Sequence, residues 1–293
     1  MSTNRHCTLC PRECGADRTA RPGYCGAGGQ IRLARAMPHH WEEPCISGKR
    51  GSGTIFFSGC TLRCVFCQNR VISTENFGKE VSAERFRQIC FELKAQGVHN
   101  INLVTPDAYA EQIVPILVES KAELALPIVL NCGGYLSPRQ IELFAKVVDV
   151  WLPDFKYADA ELAARLSGAR DYPEVALAAI CEMVRRAGKP VLDPDGMLQR
   201  GVLVRHLVLP GHRKNSIAAI GRLAEAFDTD ELLLSLMAQY TPNGAEDAPN
   251  RRITTFEYES VLSALTEAGF EGYCQSPDSV GSEYTPSFRL EGV

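Results

Sequence analysis

The stretch GTIFFSGCTLRCVFCQN, residues 53–69, decides the fold, because an apolar run leads directly into three cysteines spaced C-x3-C-x2-C. The run at 53–58 is short and continuous, which is typical of a strand buried on both faces of a parallel sheet. Three thiolates on the following loop can hold three corners of a [4Fe–4S] cube, which takes four cysteines when fully ligated. A missing fourth ligand leaves one iron open to a substrate or cofactor, just as a catalytic zinc site keeps one coordination position free.

The alternative interpretation of the three cysteines is a zinc site that a distant cysteine or histidine completes. Zinc knuckles favour C-x2-C pairs, and the triple spacing of residues 60–67 differs from that pattern. The spacing therefore favours the cluster over zinc.

Five further strand-like segments follow, and a helix-like segment separates each from the next. They are NINLV at 100–104, PIVLN at 127–131, VDVWL at 148–152, GVLVRHLVL at 201–209 and ELLLSLM at 231–237. Six strand-then-helix units in a row predict parallel strands with right-handed crossovers. Periodicity leaves two architectures open, a doubly wound open sheet and an incomplete barrel. No G-x-G-x-x-G follows the first strand and no Walker A motif is present, so the ordinary nucleotide fingerprints are missing.

The helices carry recognisable signals at their N-termini. Ser82 is predicted to cap one helix, and SPRQ at 137–140 is typical of a capping box with proline at the first helical position. Asn215 is predicted to cap another helix. The Gly- and Pro-rich stretch 26–52 is predicted to be a linker.

Bulk properties exclude several classes of protein. The net charge is −4 and the pI about 5.9, so no bulk positive field indicates binding to DNA or RNA. No apolar run approaches the roughly 20 residues of a membrane span, and the start MSTNRHCTLC has no signal-peptide pattern. We therefore expect a cytoplasmic protein without a membrane partner, whose cysteines stay reduced.

A second group of cysteines stands near the N-terminus, with the spacing C-x2-C-x3-C-x10-C. Its members are Cys7, Cys10, Cys14 and Cys25. Four cysteines so close together, flanked by Pro and Gly, suit a closed site with four thiolate ligands. The spacing leaves open zinc, a second [4Fe–4S] cluster, and free thiols or a redox disulfide, with His6 and Cys45 as substitutes for one ligand. We predict a metal-binding extension over residues 1–50 and a barrel with C-terminal loops over 51–293.

The C-x3-C-x2-C motif, with an aromatic residue before its last cysteine and a β/α repeat around it, resembles the radical S-adenosylmethionine (SAM) superfamily. The chain also resembles an uncharacterised iron–sulfur branch related to the pyruvate formate-lyase activating enzyme, on the segments EEPCISG, GSGTIFFSGC, CVFCQN, LPDFKY, VRHLVLPGH and LMAQYTP. The resemblance implies an α/β fold with an incomplete, TIM-like (β/α)6 radical SAM barrel. It further implies that Cys60, Cys64 and Cys67 ligate three irons of a [4Fe–4S] cluster, while SAM chelates the fourth.

The resemblance implies contacts to SAM from the first strands. Phe66, which precedes the third cysteine, is expected to contact the adenine. The end of the second strand reads VTPDAY in place of the family's Gly-Gly-Glu-like stretch, so Thr105 or Asp107 is expected to line the site there. Asn131 stands where the activating enzyme has an aspartate that contacts SAM.

The later strands supply the remaining contacts that the resemblance implies. Asp154 and Lys156 lie on the same side of an extended segment, where the lysine can pair with the SAM carboxylate and the aspartate can bind its amino or ribose groups. Arg205 matches an arginine of the activating enzymes, and either it or His206 is expected to face the barrel interior. Gln239 and Tyr240 fall near the family's ribose-contacting residue, and the sequence leaves open which of the two takes that role.

The implied activity is that of a radical SAM oxidoreductase. One electron from the reduced cluster cleaves SAM to methionine and a 5′-deoxyadenosyl radical, which abstracts hydrogen from a substrate. The expected partners are an electron donor such as flavodoxin or ferredoxin and a protein substrate, a glycyl radical enzyme. The alternatives are radical modification of a small molecule or another macromolecule, and a non-catalytic iron–sulfur electron carrier.

Overall fold

The structure, a computed structural model, describes residues 6–275 and 288–293. Its strands are β1 (Ile31–His39), β2 (Ser52–Phe57), β3 (Lys79–Val81), β4 (Ile101–Val104), β5 (Ile128–Cys132), β6 (Val150–Pro153), β7 (Val191–Leu192), β8 (Leu198–Leu207), β9 (Leu233–Met237) and β10 (Gly272–Cys274). Its helices are α1 (Pro44–Ser47), α2 (Arg70–Ser73), α3 (Ala83–Ala95), α4 (Ala110–Leu124), α5 (Pro138–Phe144), α6 (Ala160–Ser167), α7 (Tyr172–Ala187), α8 (Arg213–Ala226) and α9 (Thr255–Ala268).

Six parallel strands form the centre of one sheet, in the order β9-β8-β6-β5-β4-β2. β1 and β3 extend the sheet beyond β2 with antiparallel pairing, and the short strand β10 extends it beyond β9 with parallel pairing. Within the described residues the two outer strands, β3 and β10, do not pair with each other. The barrel is therefore incomplete, which confirms the predicted fold.

All six predicted strands are present, and the central ones are buried along their whole length. β2, β4 and β6 contain no exposed position, as their continuous apolar runs predict. The predicted caps also form: the Ser82 side chain accepts a hydrogen bond from the Arg85 N–H, and Ser137 and Gln140 complete a capping box.

Two predictions about local structure were wrong. The stretch 26–52 is more than a linker, because it contains β1 and α1, and β1 pairs with β2 from Leu33–Phe57 to His39–Ser52. Asn215 lies inside α8 and does not cap it. Its side-chain oxygen instead accepts hydrogen bonds from the backbone N–H groups of Ala158 (2.9 Å) and Asp159 (3.2 Å).

The N-terminal region and the barrel share this sheet, since β1 belongs to the first fifty residues. The division of the chain at residue 50 stays a prediction. Among the helices of residues 6–275, none combines the length and apolar character that a bilayer crossing requires.

Candidate functional site

A cavity of about 490 Å³ opens at the carboxyl ends of the parallel strands, which is the face where barrel enzymes carry their active sites. Nine residues predicted from the sequence line it: Cys60, Cys64, Phe66, Cys67, Asn131, Asp154, Lys156, Arg205 and Gln239. Thr105 lines the cavity as well, while Asp107 is buried outside its lining. The fold therefore gathers into one space residues that lie far apart in the sequence.

Cys60, Cys64 and Cys67, the barrel cysteine set, lie on the loop after β2, residues 59–69, which we call the cluster loop. Each of their sulfur atoms accepts a hydrogen bond. The pairs are Leu62 N–H to Cys60 (3.4 Å), Ser167 Oγ–H to Cys64 (2.9 Å) and Ser73 Oγ–H to Cys67 (3.3 Å). Donors aimed at sulfur stabilise a thiolate, which is the form that binds metal.

The barrel cysteine set suits a [4Fe–4S] cluster with one open iron. Burial raises the pKa of Cys60 to about 12 and raises the pKa of Cys64 and Cys67, so the thiols need a cationic partner to ionise. In the described ranges no three His, Cys, Asp or Glu side chains converge on one point as ligands of a single ion do. The ligands of a cluster bind different irons and need not converge.

The segment after β9 holds the cluster loop from one side. Gln68 Nε2 donates to the Gln239 carbonyl oxygen (2.8 Å), and Asn243 Nδ2 donates to the Val65 carbonyl oxygen (2.8 Å). Phe66 is buried, and its ring centroid lies 6.2 Å from that of Tyr240. Gln239 lines the cavity, so of the two adjacent residues it is the one placed to contact a ligand.

Asp154 and Lys156 follow β6 and form an ion pair at the cavity wall. Burial opposes the charge of Lys156, but Asp154, and Cys64 when it is a thiolate, raise the pKa of its amine above the ordinary value. Gly134 has φ +78°, and a Cβ there would stand 2.2 Å from the Asp154 carbonyl oxygen. Only glycine fits this approach, which explains the second glycine of LNCGGY.

Arg205 on β8 binds two carboxylates that the sequence analysis did not single out. Its Nε donates to Glu43 (2.8 Å), and its guanidinium also pairs with Glu42. Asn131 Nδ2 lies 3.4 Å from Glu42 Oε1. The signal for both glutamates was the segment EEPCISG, in which they are the two residues before the proline.

His206, the neighbour of Arg205, points out of the cavity lining and lies 2.6 Å, at Nδ1, from the Phe155 carbonyl oxygen. Burial lowers the pKa of its imidazole to about 4, so the ring is neutral at physiological pH. Of the two residues, Arg205 is therefore the one that faces the cavity.

Thr105 at the end of β4 has φ +56°, a conformation that a β-branched residue adopts only under constraint. Its N–H donates to the Asn131 carbonyl oxygen (2.8 Å). This bond ties the ends of β4 and β5 together beside the cavity.

Cys7, Cys10, Cys14 and Cys25, the N-terminal cysteine set, lie outside the cavity lining. All but Cys14 are buried. Cys45, predicted as a substitute ligand, packs elsewhere, beside Tyr273 and Glu43. The other predicted substitute, His6, is exposed beside Gly15.

Comparison with protein families and with other sequences gives matches over most of the chain. The model described as the radical SAM superfamily matches residues 54–224, more than half of the 293 residues. The uncharacterized protein MJ0674 of Methanocaldococcus jannaschii is 28% identical over 268 residues, which cover 88% of this chain and 73% of that protein.

Solved structures share the fold at low sequence identity. SuiB of Streptococcus suis bound to S-adenosylmethionine is 15% identical with a TM-score of 0.54, over 77% of this chain and 52% of SuiB. A radical SAM methyltransferase from Sphaerobacter thermophilus is 18% identical with a TM-score of 0.52, over 77% of this chain and 67% of that enzyme. This chain thus spans about half the length of SuiB. Because the family model covers most of the barrel and the fold agrees, the chain belongs to the radical SAM superfamily.

Proposed function

We propose that this chain is a radical SAM oxidoreductase that cleaves SAM reductively at a [4Fe–4S] cluster held by Cys60, Cys64 and Cys67. The family implies the cluster and SAM. The observation that carries the assignment to these residues is their position, since three hydrogen-bonded sulfur atoms line the same cavity as Asp154 and Lys156.

A cluster held by Cys60, Cys64 and Cys67 would supply the electron that splits SAM into methionine and a 5′-deoxyadenosyl radical able to abstract hydrogen from a substrate. The protein positions the reactants and excludes water. Lys156, charged and half-buried, binds the SAM carboxylate, and Asp154 binds its amino or ribose groups. Phe66 packs against the adenine, with Asn131 and Gln239 as further polar contacts.

Arg205 acts on the same cavity by a different route. Its guanidinium holds Glu42 and Glu43 in place, and Glu42 in turn accepts from Asn131. Arg205 and the two glutamates together carry one net negative charge. That charge suits the positive sulfonium of SAM.

The substrate that we propose is a protein, in particular the glycine loop of a glycyl radical enzyme, and the electron donor is a flavodoxin or a ferredoxin. The rim of the cavity supports a macromolecular substrate, because Trp41 lines it with 52% of its surface exposed and His40 beside it is exposed as well. Exposed aromatic residues are frequent anchors for a partner. A cytoplasmic location fits the free thiol state of all twelve cysteines.

The test uses protein reconstituted anaerobically with iron and sulfide, then mixed with SAM and a strong reductant. We expect 5′-deoxyadenosine and methionine in equal amounts. A reconstituted protein that holds its cluster and forms no 5′-deoxyadenosine would refute the proposal.

A separate experiment tests the substrate. A peptide from the glycine loop of pyruvate formate-lyase, with deuterium on the glycine α-carbon, is added to the same mixture. Deuterium in the 5′-deoxyadenosine supports the protein substrate. Cleavage of SAM without transfer of deuterium would contradict that substrate and leave the SAM chemistry intact.

A further inference from the structure

The N-terminal cysteine set lies on a segment, residues 6–30, that forms neither helix nor strand. The four side chains do not converge on one point in this structure, but two of the sulfur atoms lie near each other. A Cβ on Gly23 would stand 3.3 Å from Cys14 Sγ and 3.8 Å from Cys25 Sγ. Backbone hydrogen bonds fold the chain at the first two cysteines, since the Gly15 N–H donates to the Cys7 carbonyl oxygen (3.0 Å) and the Glu13 N–H donates to the Cys10 carbonyl oxygen (3.0 Å). All four are free thiols.

The segment touches the cluster loop through its last cysteine. The Cys60 N–H donates to the Cys25 carbonyl oxygen (3.0 Å). Gly59, with φ +88°, permits this contact, because a Cβ there would stand 2.5 Å from the same oxygen. The backbone of one cysteine set is thus hydrogen-bonded to the backbone of the other.

Arg12, between Cys10 and Cys14 in the sequence, makes a second connection. Its Nε donates to the Thr61 carbonyl oxygen (2.8 Å), and the guanidinium also donates to the Ser167 carbonyl oxygen (2.9 Å). Ser167 is the residue whose hydroxyl bonds to Cys64 Sγ. The N-terminal segment therefore contacts Cys60 directly, through the Cys25 carbonyl oxygen, and Cys64 indirectly, through Ser167.

We propose that Cys7, Cys10, Cys14 and Cys25 form a four-thiolate metal site whose metal, zinc or a [4Fe–4S] cluster, holds the N-terminal segment against the cluster loop and so slows the loss of iron from the barrel cysteine set. A short segment without secondary structure needs bonds of this kind to fix its position. Binding of the metal forms four metal–sulfur bonds and releases the thiol protons to solvent. A single zinc ion would also have to draw the four sulfur atoms together, whereas the ligands of a cluster bind different irons. The coupling is reciprocal, so each loaded site stabilises the other.

The first experiment measures metal in a chain that lacks the barrel cysteine set, by the substitutions Cys60→Ala, Cys64→Ala and Cys67→Ala. After anaerobic purification we expect about one zinc per chain, or about four irons with inorganic sulfide. Adding Cys10→Ala and Cys14→Ala should remove that metal. If the first chain folds, as judged by circular dichroism, and holds no more metal than the second, the proposal is wrong.

The metal content of the N-terminal site is also measured with the barrel cysteine set intact. This measurement tests the proposal even if the variant that lacks the barrel cysteine set does not fold. Here the paired change Cys10→Ala and Cys14→Ala should lower the metal content by the same one zinc or four irons. The exposed thiol of Cys181 provides the matched control, and Cys181→Ala should change no metal content.

The second experiment measures the rate at which an iron chelator removes iron from the barrel cysteine set. This iron is identified as the part that is missing in the Cys64→Ala variant. The paired change Cys10→Ala and Cys14→Ala should accelerate this release by about tenfold, as is typical for loss of a partner that supports a metal ligand. Arg12→Gln should accelerate it less and keep the N-terminal metal. An unchanged rate in a chain that has lost its N-terminal metal would overturn the coupling. None of these readouts depends on SAM cleavage.

Discussion

The two cysteine sets differ most in the space beside their sulfur atoms. The barrel cysteine set has three thiols on the wall of a cavity of about 490 Å³, and each sulfur accepts a hydrogen bond. The N-terminal cysteine set has four thiols and lines none of that cavity. Metal sites with an open position perform chemistry, whereas closed sites stabilise structure. The difference between the two sets agrees with the open site and the closed site that we propose for them.

The largest expected effect is the difference in SAM cleavage between a substitution in the barrel cysteine set and one in the N-terminal cysteine set. Cys64→Ala should reduce 5′-deoxyadenosine formation to the uncatalysed level, because the cofactor carries the chemistry. It should also remove about four irons per chain. Cys10→Ala should leave the rate within about tenfold of the original. Chromatography of the nucleoside and an iron assay check both variants. A complete loss of cleavage in Cys10→Ala, with the barrel iron retained, would show that the N-terminal cysteine set takes part in the chemistry.

A second prediction concerns the buried ion pair of Arg205 in the wall of the cavity, a feature of the open site alone. Arg205→Met should lower the free energy of unfolding by about 3–5 kcal/mol, since it leaves the carboxylates of Glu42 and Glu43 buried without a cation. Urea unfolding under anaerobic conditions measures this loss. Arg170→Met is the control, because Arg170 and Glu161 form an exposed pair and its loss should cost less than about 1 kcal/mol. Equal losses in the two variants would contradict the buried ion pair.

The same ion pair predicts a dependence on pH. Burial opposes the ionisation of Glu43, but Arg205 lowers the pKa of this carboxyl below its ordinary value of 4.5. The pair therefore stabilises the fold above pH 4.5, and this stability is lost as the pH falls through the lowered pKa. In Arg205→Met, burial alone raises the pKa of Glu43. Protonation of this carboxyl at lower pH therefore restores part of the stability that the variant has lost. The difference in unfolding free energy between the two chains should shrink from pH 7 to pH 4, and a constant difference would contradict the assignment.

A further prediction concerns the contact between Lys156 and SAM in the open site. Lys156→Met should weaken SAM binding by about 1.5–3 kcal/mol, the value of a hydrogen bond to a charged group, which is about ten- to a hundredfold in Kd. Calorimetry under anaerobic conditions measures it, with Lys189→Met as a control whose amine pairs with Asp230 at the surface. A variant that loses iron and keeps its affinity for SAM would show that Lys156 serves Cys64 instead.

Local signals were enough to predict much of the fold. Most positions of the six predicted strands are buried, so their apolar runs are continuous and can be recognised without knowledge of their neighbours. The caps at Ser82 and Ser137 form between residues three positions apart. The three-cysteine loop follows the first of these strands, and its position at the sheet's carboxyl edge follows from the fold.

Long-range contacts escaped sequence reasoning. Glu42 and Glu43 bind Arg205 across more than 160 positions of sequence, and no periodic pattern signals such a pair. Asn215 carries a typical capping side chain, yet the loop after β6 uses that side chain. Ser73 and Ser167 have no distinctive sequence context, and only the fold brings their hydroxyls to the barrel sulfur atoms.

The smallest expected effect concerns one of these hydroxyls. Ser73→Ala removes the donor to Cys67 Sγ, and hydrogen bonds to sulfur favour the more negative, reduced state of a cluster. A bond worth about 1 kcal/mol corresponds to about 40 mV for one electron, so the reduction potential of the barrel cluster should fall by that amount. A redox titration followed by electron paramagnetic resonance measures it, and Ser82→Ala, at a helix cap, should cause no shift. If the N-terminal cysteine set also holds a cluster, its potential should stay constant, because Ser73 contacts the other set. A shift in both signals would mean that the two sites share one electrostatic environment, and the distinction between an open and a closed site would then rest on the cavity alone.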